Sequence, residues 1–373
     1  MTAIHNRLVL FSMDKTFNFC TLFDSNYLDK GLVLYDSLER NVSDFCLYVL
    51  AMDNVCFDIL SKINHQKMVV INISEFCKYE QLTKIYKERK HDEFCYTCTP
   101  HLIDYVINFY NLDMTTYIDS DMYFYSNPLR LFDNFENYDV QIIKHGFGNT
   151  LIDKKSEIDA GKFCIEFNTF KKGEKSLQLL DWWKNKCRES CSANGELKEI
   201  HGDQKYLNEW DKFQNVEIIS DIGAGLAPWN VFNYKLINKN DDNIMVKRGK
   251  EKTNIIFYHF HNISYLDENT VSISVYNRHL FVDDKLIECI YLPYLDKIQE
   301  KKNFLFEYFG IYPIIKKHPT LTKNTNNTRR SLFSRLCMIL KNKSFIDVMI
   351  LVQILFIKKI NKGKNIIKLG NRN

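Results

Sequence analysis

The sequence predicts an α/β fold: a mixed sheet flanked by helices, with a helical, basic extension at the C-terminal end. Three observations carry this reading. Short β-prone runs alternate with segments whose apolar residues recur at helical spacing, the order that builds parallel strand–helix–strand units. The fourth strand-like run ends in Asp119-Ser120-Asp121, and open α/β sheets hold ligands at the carboxyl ends of their strands. Charge also divides along the chain. Residues 316–373 carry fourteen Lys and Arg against Asp347 alone, a net +13, so with +4 overall the preceding 315 residues sum to 4 − 13 = −9.

In chain order, residues 17–23 read as a first buried strand, followed by the turn-like Asp24-Ser25-Asn26. Residues 27–38 have helical spacing, 45–51 form a second strand, 58–64 a helix and 68–73 a third strand. A helix runs from Pro100 to Tyr110, carrying Leu102, Tyr105, Val106 and Phe109, and leads to the strand before Asp119. Residues 140–145 form a strand ending in two basic groups, Lys144 and His145, and 162–170 another. Residues 176–188 form an amphipathic helix with Leu177, Leu180, Trp182 and Trp183 inside. Leu226-Ala227-Pro228-Trp229-Asn230 reads as a loop with an anchored tryptophan, and 255–261 as a strand ending in histidines. A helix over 286–308, with Ile290, Tyr291, Tyr294, Leu295 and Ile298 on one side, is expected to cover part of the cleft.

With 373 residues, 45% hydrophobic and 14% aromatic, the chain can bury one large core or two modest ones. Its acidic body does not favour nucleic acid. The 11 cysteines are an odd number scattered through apolar runs, and no cleavable signal sequence opens the chain, so free thiols in a reducing cytoplasm are expected. Cys95, Cys98, Cys187 and Cys191 could together offer four thiolates to zinc, although no nearby histidine supports either pair.

Three stretches carry chemistry. Side chains two apart on an extended backbone share a face, so Asp119 and Asp121 can point together, stabilised by a hard divalent cation with positions left for phosphate oxygens; the alternative is a solvated turn. His259 and His261 share a face by the same period, and an imidazole suits a metal already held by carboxylates; the alternative is a pair of core histidines. In His201-Gly202-Asp203-Gln204, Gly202 allows close backbone approach, and Asp203 and Gln204 either open a helix towards a cleft or cap it.

Asp119-Ser120-Asp121, Phe167-Asn168-Thr169, Gly202-Asp203-Gln204-Lys205-Tyr206-Leu207-Asn208 and Tyr258-His259-Phe260-His261 occur in an order that resembles the GT-A glycosyltransferases. The likeness is to family eight, the glycogenin and bacterial lipopolysaccharide galactosyltransferase group, over residues 17 to 265. The resemblance implies a Rossmann-like GT-A sheet and retaining transfer of a hexose from a nucleotide-sugar. It implies Mn2+ (or Mg2+) held by Asp119, Asp121 and His259, with His261 as the rival ligand. It also implies Asp203 and Gln204 beside the transferred sugar, and Thr21, Phe23 and Tyr27 at the nucleobase and ribose. Two positions depart from the pattern. The arginine before the Asp-X-Asp strand is replaced within Phe94-Cys95-Tyr96-Thr97-Cys98-Thr99-Pro100, and no lysine precedes a Pro-Trp after the histidine; here Ala227-Pro228-Trp229 comes before it. Competing readings are a nucleotide-sugar-binding protein that has lost catalysis and an Asp-X-Asp phosphotransferase. The latter want Thr or Val where this chain has Tyr123.

The expected domains are residues 1–265, catalytic; 266–315, a helical cover; and 316–373, a basic tail. Residues 316–330 read as a linker, and 331–340 and 345–360 as apolar-rich helices too short to span a bilayer. Basic clusters around them fit a helix lying in an anionic membrane surface, placing the protein on the inner face of the plasma membrane near a glycan or lipid-linked saccharide acceptor. The alternatives are a helix pair packed on the body or one that binds a partner.

Overall fold

The structure, a computed structural model, describes residues 16–192, 202–213, 215–240, 243–267, 270–273, 275, 283–313 and scattered positions from 349 to 368. Its elements run β1 (Phe17–Phe23), α1 (Leu28–Asn41), β2 (Phe45–Ala51), α2 (Asn54–Ile63), β3 (Met68–Asn72), α3 (Ile73–Tyr79), α4 (Thr83–Glu88), α5 (His91–Phe109), β4 (Met114–Ile118) and β5 (Met122–Phe124). They continue with β6 (Val140–Lys144), α6 (Leu151–Ala160), β7 (Phe163–Lys171), α7 (Glu174–Glu189), β8 (Val216–Ile219), β9 (Lys235–Asn240), β10 (Asn243–Arg248), β11 (Glu251–Asn254), β12 (Phe257–His259), β13 (Ser264–Asp267), β14 (Thr270–Ser272), α8 (Asp284–Phe309) and β15 (Ile366–Lys368). The chain forms two compact units, one of residues 1–120, 127–142 and 165–218, the other of 121–126, 143–164 and 219–373.

The first unit is built on a seven-stranded sheet in the order β3-β2-β1-β4-β7-β6-β8. β1 runs parallel to β2 and β4, β2 runs parallel to β3, and β4 pairs antiparallel with β7, so the sheet is mixed as expected. Its middle is apolar on both faces: Phe19, Cys20, Leu47, Val49, Ile118 and Phe167 are buried, as strands covered on both sides require. α5 packs on β1, β4 and α7 and begins nine residues before Pro100, which therefore lies inside the helix. Burial of Phe94, Thr97 and Cys98 holds the earlier turns in register despite the missing N–H, so tertiary packing overrides the local penalty. In α7 the inward stripe is Ser176, Leu179, Leu180, Trp183 and Cys187. Trp183 packs in a cluster with Phe170 and Trp210, whereas Trp182, expected inside, falls off the stripe and is 37% exposed.

In the second unit β5 and β12 form an antiparallel pair with Met122 opposite His259 and Tyr123 opposite Tyr258. Alternation separates their neighbours. Tyr258 and Phe260 meet α8, through a Tyr258–Tyr291 hydroxyl contact of 3.0 Å and a Phe260–Tyr294 stack of 3.6 Å. α8 therefore backs the face opposite to His259 and His261. β12 stops at His259, and His261 lies in the following turn. β9, β10 and β11 form one small sheet and β13, β14 and β15 another, so Ile366–Lys368 of the basic stretch pairs with Thr270–Ser272. Residues 314–348, with the expected linker and first tail helix, lie outside the described residues, as does much of the second. Among the described residues no helix is long and apolar enough to cross a membrane.

Candidate metal and donor site

β4 ends at Ile118, and Asp119-Ser120-Asp121 turns towards β5 instead of extending the strand. On the second unit, pairing of β5 with β12 sets Asp121 beside the histidines: the Phe260 N–H donates to the Asp121 carbonyl at 2.8 Å. His259 Nε2 lies 3.1 Å from Asp121 Oδ1, with 5% and 14% of their side chains exposed. Ligand atoms of Asp121, His259 and the exposed His261 all lie within 4.8 Å of one another. This mixed oxygen and nitrogen set fits a divalent first-row ion better than Mg2+, which prefers oxygen ligands. Both histidines, the favoured ligand and its rival, belong to the one group.

On the first unit, the Asp119 carboxylate accepts from the Tyr117 hydroxyl at 3.1 Å, and the Asp119 N–H donates to the Glu166 carbonyl at 3.3 Å. Asp203 is 3% exposed and caps nothing with its side chain; Gln204 opens a 3₁₀ helix. Burial pushes the Asp203 carboxyl well above the usual range, with Cys191 and Asp119 adding to the shift against a hydrogen bond from Thr99. The same burial, with Asp119 and Asp203 nearby, raises the Tyr117 hydroxyl. Gly202 has φ +60°, and a Cβ there would sit a tight 3.3 Å from the Tyr96 ring, so backbone conformation and space both favour glycine.

Thr21 and Phe23 are buried, whereas Tyr27 is half-buried under Lys30, whose ammonium is 4.3 Å from its ring. A Cβ on Gly31 would meet Phe23 Cζ at 2.3 Å, so that ring fills the space beside α1. At the same end of β1, His91 Nε2 lies 3.0 Å from Asp24 Oδ2, and that bond raises the imidazole to about 10. Spacing did not reveal this pair, because its residues are 67 apart (91 − 24) and on different elements. Arg89, the arginine nearest the start of α5, donates to Thr97 and to the Cys187 and Arg188 carbonyls, satisfying the C-terminal end of α7.

His145, read as a basic strand end, is a neutral imidazole: burial pushes it down to about 3, and His259 and His261 disfavour its charge further. Among the described residues, the four cysteines considered for zinc are not a metal-competent group; Cys98, Cys187 and Cys191 are buried, and the Cys191 thiol meets the Cys187 carbonyl at 3.4 Å.

No family model matches the chain. It is 29% identical over 263 residues to YfnF of Bacillus subtilis (strain 168), covering 68% of this chain and 84% of that protein. It is 25% identical over 283 residues to YfnD of the same organism, covering 75% and 88%. Both relatives are described as uncharacterized proteins. Among solved structures it is similar to the LgtC mutant Q189E (13% identity, 66% of this chain and 88% of that chain, TM-score 0.43). It is also similar to mouse xyloside xylosyltransferase 1 (9%, 66% and 98%, 0.42). The glycosyltransferase GlyE of Streptococcus pneumoniae TIGR4 matches with 16% identity and a TM-score of 0.37; the match covers 56% of this chain and 46% of that longer one. At these identities and scores, no residue role passes from those structures to this chain.

Proposed function

We propose that the chain is a metal-dependent glycosyltransferase that moves a hexose from a nucleotide-sugar, UDP-linked, to a glycan or lipid-linked saccharide in surface polysaccharide or lipopolysaccharide synthesis. The observation that carries this reading is the meeting of Asp121 with His259 and His261 just beyond the Asp119 strand. Asp121 and His259, with Asp119 and His261, would hold Mn2+. When bound, the cation supplies Lewis-acid stabilisation of the charge that develops on the leaving diphosphate.

Asp203 and Gln204 are assigned to the transferred sugar. Burial disfavours the ionised form of the Asp203 carboxyl, which makes it better suited to hydrogen bonding than to acting as a base or nucleophile. Gln204 is uncharged and both donates and accepts. Neither is suited to form a covalent sugar intermediate, which favours retention through same-face attack assisted by the departing phosphate. Thr21, Phe23 and Tyr27 are assigned to the nucleoside. The basic stretch after residue 316 is assigned to an anionic membrane surface, on the cytoplasmic side of the plasma membrane.

Incubation with a panel of UDP-, GDP- and CMP-sugars tests the reading. Release of free nucleoside diphosphate from one donor, abolished by EDTA, is expected. Metal-dependent binding without release, even with saccharide acceptors present, would mark a protein that binds donors without catalysis. Neither binding nor release across the panel would sink the proposal.

A further inference from the structure

The loop 223–231 is tied to the metal-competent group more firmly than a connection requires. Its Leu226 carbonyl accepts the His259 N–H at 2.8 Å, and the Gly223 carbonyl accepts the Ile256 N–H at 2.7 Å. Asn230, 1% exposed, donates to the Gly225 carbonyl at 2.7 Å and the His145 carbonyl at 2.8 Å, and its own oxygen accepts from the Ala227 N–H at 2.9 Å. From this frame projects the half-buried Trp229, whose Nε1–H donates to the same His145 carbonyl at 2.7 Å. Its ring centroid lies 5.3 Å from that of His259, 5.6 Å from that of His261 and 5.5 Å from that of His145. All three approaches are edge-on or nearly so, at 84°, 68° and 68°.

We propose that Trp229 is a positioning residue for the metal, its indole holding the His259 and His261 imidazoles at the spacing at which both can ligate with Asp121. The need is physical. His259 is held by β12, whereas His261 stands in the following turn and is exposed, so the rings packed beside it bear directly on its orientation. A rigid aromatic face against both rings restricts them before the ion arrives, and the bond to the His145 carbonyl fixes the indole in turn. Neutral His145 shares the wall without adding a cation beside the ligands. Groups that orient metal ligands are typically worth about 10–100-fold in affinity.

This proposal rests on the metal-dependent reading above. Mn2+ titration of the full chain, followed by the electron paramagnetic resonance signal of free Mn2+, tests both separately, with thermal melting to verify folding. Wild type is expected to take up one Mn2+, and Asp121→Ala to lose it. Trp229→Leu is expected to bind about 10–100-fold more weakly. Trp229→Phe, which keeps a ring but not the N–H, is expected to fall between the two. A folded Trp229→Leu protein with wild-type affinity overturns the role of Trp229 while leaving the metal site standing. If that variant does not fold, wild-type affinity in Trp229→Phe overturns it. No uptake by wild type overturns both readings.

Discussion

Burial holds the His145 imidazole neutral, with a pKa of about 3, while the unfolded chain exposes an ordinary histidine. The folded value lies below the unfolded one, so the unfolded state binds more protons as pH falls. The stability tied to the neutral ring is present above about pH 6.5 and is lost progressively towards the folded value. Melting temperatures of wild type and His145→Gln, compared between about pH 7 and pH 4, are expected to converge on acidification because the variant lacks this loss. Parallel curves would contradict it. Residue type and spacing marked Asp121, His259 and His261 in the sequence, although β4 ends before Asp119 and β12 at His259, so turns and not continued strand alternation place them. They did not mark the neutrality of His145 or the burial of Asp203, since both depend on neighbours far along the chain.

α5 illustrates the same limit for elements. Local rules open this helix at Pro100, but packing on β1, β4 and α7 carries it back to His91. Its anchor is a buried network that no motif announces. His101 Nδ1 meets Glu80 Oε2 at 2.6 Å, and its Nε2 accepts from Arg188 Nε at 3.2 Å, which fixes a neutral tautomer. Burial lowers the His101 pKa, while His101 and Lys184 outweigh burial to hold the Glu80 carboxyl below its usual range. Glu80 is 4% exposed and His101 0%. Glu80→Gln removes the carboxylate that His101 meets at 2.6 Å and Lys184 at 3.3 Å, leaving Asp104 as the Lys184 counter-charge, and is expected to destabilise the fold by about 1–3 kcal/mol in denaturant unfolding. A change within about 0.5 kcal/mol would show that the network contributes little. The strands were more legible than this helix. β1, β2, β3 and β7 lie within a residue or two of their expected bounds, because continuous apolar runs mark buried strands regardless of partner.

For the whole molecule, the charge division read from the sequence still frames the account. Met349, Phe356 and Ile360, all helical, are 47%, 55% and 50% exposed, while Ile357 is 2% exposed. Positions 349, 356 and 360 fall at helical spacing in the sequence, in a stretch that also carries Lys358, Lys359, Lys362 and Lys364, the pattern behind the proposed binding to an anionic bilayer. The protein is expected to sediment with vesicles containing phosphatidylglycerol but not with phosphatidylcholine alone, and high salt or Phe356→Glu should release it. Equal partition to both vesicles, or to neither, would remove the membrane from the account. Donor and acceptor leave no such trace in the sequence, because loop shape selects them.

Asp121 and its histidines carry the proposed chemistry. The most direct measurement is nucleoside diphosphate release from the preferred donor by wild type, Asp121→Ala and His259→Ala, with Mn2+ or with EDTA. Release by wild type with Mn2+ only is expected, and a loss of at least about 100-fold in both variants. Turnover that survives EDTA, or folded variants that release diphosphate at the wild-type rate, would contradict it.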